Sequence, residues 1–201
     1  MVWEAALWCG LALGGPVLIR VLGPWLRSRW EGPASLFEEL GPWLNLLPLY
    51  LALITGAVSG RDAGLYGQPA SSWANGALIS VITVALVTPM LWWKPMAGQW
   101  PEPWRGTSDE ARWALYRASG ALWSGPMLGG AAVGLVLAVG EWALETRPWC
   151  AERRTVTWLP LARPLISAVL FALARNAWLT AATHLALLVI ARRMTQPKRS
   201  G

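Results

Sequence analysis

The sequence predicts an all-α fold: one transmembrane helical domain over residues 1–201 with about five spans, four to six being the range, plus an amphipathic helix in the interface. Composition points there first, with 55% hydrophobic residues against 14% charged and a mean hydropathy of +0.38. Such a balance suits lipid better than water as the solvent. The second observation is a set of long uncharged runs separated by stretches rich in charge, Gly and Pro. The third is that basic residues gather at the ends of those runs, as they do beside a membrane.

Each element follows in order. No charge interrupts Ala5 to Ile19, with Glu4 before it and Arg20 after it, so this is the first span. Glu4 stands where a cleavable signal would carry Lys or Arg, and no small-x-small site closes the run, so the segment is expected to stay as an anchor. Arg27 to Glu39 mixes Arg, Glu, Gly and Pro, and belongs in water or at the headgroups. The second span, Leu40 to Gly60, contains Pro42, expected near its start, and Pro48, expected to bend it. Arg61 to Pro69 is a short connection of turn formers. The third span, Trp73 to Trp93, is apolar on every side, as a helix surrounded by protein or lipid must be.

Lys94 to Asp109 is the longest polar stretch, and Pro95, Pro101 and Pro103 argue against regular helix there. Ala111, Leu115, Ala118 and Leu122 then recur at helical spacing with Glu110, Arg112 and Arg117 between them. They predict an interfacial helix capped by Ser108 or Asp109, or else a direct extension of the next span. The fourth span is Gly125 to Leu144. Between Trp158 and Ile190 the apolar character is broken by Arg163-Pro164 and by Arg175-Asn176, giving two short crossings or a re-entrant piece before the last span. With a re-entrant or interfacial piece, Arg20, Arg27, Arg29, Lys94, Arg105, Arg112, Arg117 and the tail bases share one side. Arg61, Arg147, Arg153 and Arg154 are left on the other. The positive-inside rule then gives a multi-pass cell-membrane protein with its N-terminus outside and its C-terminus cytoplasmic. Six full spans would nearly balance the two sides, which favours five.

The formal charge of +6 is explained by topology and anionic headgroups, and no nucleic-acid motif accompanies it. Cys9 lies in an apolar run and Cys150 in a polar loop, which suggests neither a disulfide framework nor a metal knuckle. The 16 tryptophans, among them Trp3, Trp25, Trp43, Trp73, Trp92, Trp93, Trp142, Trp149 and Trp158, fall near helix ends. They read as an aromatic belt or, alternatively, as the lining of a pigment, quinone or lipid-tail site. Small residues four apart, Gly10/Gly14, Gly56/Gly60 and the series Gly125, Gly129, Gly130 and Gly134, allow close helix approach. They are expected to face other helices, including those of other membrane subunits.

The single histidine, His184, excludes a His-Glu-x-x-His zinc site, because that chemistry needs two imidazoles on one helix face. No Gly-x-Ser-x-Gly elbow, phosphate loop or dinucleotide fingerprint is present. Asn176, Thr180, Thr183 and His184 form a polar stripe expected to face the bundle, either as interhelical hydrogen-bonding glue, as an axial ligand to a chlorin or haem, or as the remnant of a catalytic site. Glu38-Glu39, Glu110 with Arg117, and Glu141 with Glu145 are acidic or paired groups able to hold a proton or a metal, or simply to be solvated at helix ends. The sequence names no cofactor.

Three segments carry a resemblance: Ser59-Gly60-Arg61-Asp62-Ala63-Gly64-Leu65, Glu110 to Arg117, and Arg175 to His184. They look like divergent bacterial members of the CAAX-protease and bacteriocin-processing intramembrane family. In active members a Glu-Glu-x-x-x-Arg motif, a Phe-x-x-x-His motif and a His-x-x-x-Asn motif surround an activated water. Here Asp109-Glu110 would supply the first with its Arg displaced to Arg117, no histidine supplies the second, and Leu188 replaces the Asn of the third. The resemblance therefore implies a non-catalytic relative. Small-residue packing faces, the tryptophan load and the lack of a complete catalytic set point to a scaffold or accessory subunit of a membrane complex. The alternatives are an intramembrane hydrolase using Glu110, Arg117 and His184, and a pigment or quinone carrier with His184 as ligand.

Overall fold

Long apolar runs punctuated by Gly, Pro and Asn give helices whose ends fall at the punctuation. The computed structural model describes residues 2–29, 31–93, 103–125, 128–146 and 159–195, and among these the regular structure is helical throughout. In chain order the helices are α1 (Val2–Arg29), α2 (Glu31–Ile54), α3 (Ala70–Trp93), α4 (Pro103–Ser124), α5 (Leu128–Thr146), α6 (Leu159–Ala174) and α7 (Ala177–Thr195). The hub is α4, which packs against α1, α2, α5 and α7, while α3 leans on α6 and α7 at the edge.

Several expected boundaries move. The stretch expected in water before the second span is helical from Glu31, and Pro33 is tolerated in its first turn because the N–H it lacks would find no intrahelical partner there. Pro42 consequently stands well inside α2 beside Pro48, and α2 stops at Ile54 instead of running to Gly60. The turn-forming connection is observed over 55–69. Pro103 opens α4 instead of ending a polar loop, and residues 94–102 lie outside those described.

The larger correction concerns α4 itself. Ser108 and Asp109 sit in its second turn, so neither caps it, and residues 112–120 are all buried, so the helix does not lie in an interface. Asp109, Glu110, Arg112 and Arg117 point inward because each meets a counter-charge there. Nor does it run on into the fourth span: Gly125 adopts φ 91°, a conformation that ends helices and that glycine reaches without steric penalty. The last apolar region likewise divides into two helices at Arg175-Asn176. Arg175 takes φ 50° to close α6, and the Asn176 Oδ1 caps α7 by accepting from the N–H groups of Trp178 and Leu179 at 3.0 and 3.1 Å.

The glycines of α5 serve this chain internally. A methyl group on Gly130 would meet the Arg117 carbonyl, and one on Gly134 would meet the Arg117 side chain, so both let α5 lie against α4. Gly129 abuts Ser124, and Gly125 is a turn residue. A partner-facing role expected for this series is thus replaced by packing within the chain, whereas Gly10 and Gly14 have open space beside them.

Apolar side chains are plentiful outside. Ala70–Leu91 of α3 is long and apolar enough to cross a membrane, and only 6% of it is buried. It is the one such helix among the described residues; the apolar parts of α2, α5 and α6 are shorter. Trp3, Trp25 and Trp73 are exposed near helix ends, whereas Trp43, also exposed, stands in the middle of α2, and the side chains of Trp92, Trp93, Trp149 and Trp158 lie outside the described set.

Candidate functional site, a buried charge cluster on α4

Glu110 and Arg117 lie two helical turns apart on α4, which puts them on one face. The Arg117 Nη2 meets Glu110 Oε1 at 2.5 Å with both side chains almost fully buried. Ser167, brought in by α6, closes the arrangement: its hydroxyl donates to Glu110, with Oε2 at 2.7 Å and Oε1 at 2.9 Å, and accepts from Arg117 Nη1 at 2.7 Å. The Arg117 guanidinium also lies 4.3 Å above the Phe171 ring of α6. Removing a carboxylate from water costs several kcal/mol, and the adjacent guanidinium and hydroxyl offset that cost.

His184 reaches the same place from α7. Its Nδ1 is 3.6 Å from Glu110 Oε2, beyond hydrogen-bond length, and has no other partner. Its ring lies against Trp113 of α4, with centroids 5.3 Å apart. Asn176, Thr180, Thr183 and His184 are all buried, so the polar stripe faces the bundle. Only His184 acts as glue between helices, however. The Thr180 and Thr183 hydroxyls donate to carbonyls one turn back on their own helix, to Asn176 and Leu179.

Arg163, expected only to break an apolar run, is the residue that joins the parts. Its Nη2 donates to Asp109 Oδ2 at 2.7 Å and to the Gly106 carbonyl at 2.8 Å, and its Nε donates to His184 Nε2 at 3.3 Å. The guanidinium carbon also lies 5.6 Å from the Trp113 ring, so one indole supports both Arg163 and His184. Asp109 binds Arg112 at 2.6 Å in turn, and Arg112 is ion-paired with Glu141 of α5. Glu141 accepts from the Tyr116 hydroxyl at 3.1 Å, and Asn45 of α2 donates to Ser108 and Asp109. The acidic-pair expectation for Glu141 therefore resolves as an ion pair with Arg112, while the side chains of Glu38, Glu39 and Glu145 lie outside the described set.

Three carboxylates (Asp109, Glu110 and Glu141) thus meet three guanidiniums (Arg112, Arg117 and Arg163), and the cluster balances its own charge. All three residues singled out for a hydrolase, Glu110, Arg117 and His184, are in it. Those missed are Arg163 and Ser167 on α6. A clue to Arg163 was available: an arginine inside an apolar run needs a partner within the bundle. Ser167 carried none, since a serine in an apolar helix is commonplace. Among the described residues no group of three His, Cys, Asp or Glu side chains has metal-binding geometry. Cys9, the free cysteine of the described set, is buried and contacts the Ser119 hydroxyl at 3.1 Å. Cys150 lies outside that set.

No family model, curated protein or solved structure matches this chain.

The segments 59–65, 110–117 and 175–184 are neighbours in space. The 59–65 turn docks on the α6–α7 corner, where Ala177 N–H donates to the Gly64 carbonyl at 3.0 Å and the Trp178 indole N–H to the Leu65 carbonyl at 2.9 Å. The third segment then carries His184 to Glu110 and Arg117 of the second.

Proposed function

We propose that this chain is a multi-pass membrane protein of about five spans whose interior cluster is structural, and that it serves as a scaffold or accessory subunit of a membrane complex. The inverted arrangement supports the membrane setting: ion pairs inside, and leucines, valines and tryptophans outside. Intramembrane ionisable groups are commonly satisfied by one another in the bundle interior, and these are.

One observation carries the non-enzymatic part. The atoms that would hold and activate a water are occupied by the chain itself: Glu110 by Arg117 and Ser167, and His184 Nε2 by Arg163. A general base needs an available lone pair within reach of the proton it removes; here Arg117 and Ser167 take two of the acceptor positions of Glu110, and Arg163 takes the lone pair on His184 Nε2. A degenerate relative of the CAAX-type intramembrane family, with the active-site water replaced by side chains, fits that pattern.

The convergence of Glu110, Arg117 and His184 favours a second reading, an intramembrane hydrolase with Glu110 as base. The two are separated by reconstituting wild type and Glu110→Gln in liposomes with prenylated and transmembrane peptide substrates, and by mild-detergent isolation with mass spectrometry of co-migrating proteins. We expect no cleavage that depends on Glu110, together with a stoichiometric membrane partner. Glu110-dependent cleavage would establish the hydrolase instead, and a solitary monodisperse monomer would overturn the accessory role.

A further inference from the structure

Arginine has five N–H donors and no acceptor, so any atom that bonds Arg163 must contribute a lone pair. At 3.3 Å from the Arg163 Nε, the His184 Nε2 is such an atom, and it carries no proton while that bond exists. Arg163 cannot easily turn away, because its Nη2 is tied to Asp109 and Gly106 and its face lies near Trp113. An Nε2 that accepts from Arg163 leaves Nδ1 to carry the ring proton, and Nδ1 is the nitrogen 3.6 Å from Glu110 Oε2.

We propose that Arg163 is the positioning residue of the cluster: it occupies the only lone pair of His184 and thereby turns the imidazole proton toward Glu110. This deepens the proposal of a closed site and rests on it for its consequence, which is that the histidine is silenced as a base by a neighbouring helix. Glu110 receives a donor aimed at it, and the imidazole keeps nothing with which to accept a proton. The groups facing the ring are Glu110 and Trp113 from α4 and Arg163 from α6, and of these only Arg163 bonds Nε2. Trp113 contributes by supporting both planes.

The chain contains one histidine, so nitrogen-15 labelling of histidine in untagged protein yields a single imidazole spectrum. We expect wild type in detergent or nanodiscs to show a protonated Nδ1 and a bare Nε2. Glu110→Gln should keep that tautomer, because Arg163 remains, whereas Arg163→Met should lose it and shift the proton wholly or partly to Nε2. Arg163→Lys, which keeps one donor, should restore it in part. A wild-type spectrum with a protonated Nε2 overturns the proposal, and so does an Arg163→Met spectrum unchanged from wild type. If Arg163→Met fails to fold, the wild-type and Glu110→Gln spectra decide alone, since a tautomer that changes with Glu110 instead would equally refute it. Detection of Glu110-dependent cleavage would remove the closed-site proposal while leaving the tautomer result standing, so the two failures are distinguishable.

Discussion

Helices α3 and α4 are built on opposite plans. In α3 the exposed side chains include Leu78, Val81, Ile82, Leu86 and Met90, and little of the helix is buried. In α4 the buried side chains include Glu110, Arg112 and Arg117, each held by a partner of opposite charge. A protein folded for water places these two classes the other way round, since charged residues are almost never fully buried unless paired. The contrast supports the proposal of an apolar medium around α3, and it places the polar contacts of the chain in its interior.

The comparison breaks most sharply at Arg117. Arg117→Met leaves Glu110 buried with its main counter-charge gone, and is expected to lower stability by about 3–5 kcal/mol. Thermal unfolding in detergent measures it, and adding Glu110→Gln should recover much of the loss, because an uncompensated charge, not a missing contact, is the cause. Equal destabilisation by the single and double variants would contradict this.

At the middle of α3, Val81→Arg sharpens the same contrast. In water an exposed position of this kind tolerates substitution to within about 0.5 kcal/mol. At the centre of a span it costs about 2.5–3.5 kcal/mol. A membrane-insertion assay with glycosylation reporters reads the difference, and unimpaired insertion would remove α3 from the bilayer.

The smallest effect belongs to the α6–α7 corner. Asn176→Ala removes the cap of α7 and should cost about 1 kcal/mol. It should be visible as faster amide exchange at Trp178 and Leu179, with the cluster on α4 unaltered.

The parts of this structure legible in the sequence are those that follow from periodicity and punctuation. The apolar α3 helix, the connection at 61–69 and the break at Arg175-Asn176 all answer to local chemistry, whereas the early end of α2 at Ile54 does not. The inward direction of His184 was legible too, because polar residues at 176, 180, 183 and 184 share a side. What escaped depends on partners far apart in the chain. Charges on α4 suggested an interfacial helix, because nothing local reveals that Glu141 and Arg163 arrive to meet Arg112 and Asp109. Gly130 and Gly134 were equally ambiguous, since a small-residue face does not say whose helix it will meet.

The docked 59–65 turn has a consequence for how the interior is aimed. Successive residues of an α-helix point about 100° apart, so the rotational setting of α7 is decided where it starts. That start is fastened by the Gly64 and Leu65 carbonyls, and a methyl on Gly64 would strike Phe171, the ring beneath Arg117. A surface loop thus acts as the angular stop for a buried imidazole: slipping the register by one residue there would swing His184 away from Glu110 toward another face of the bundle.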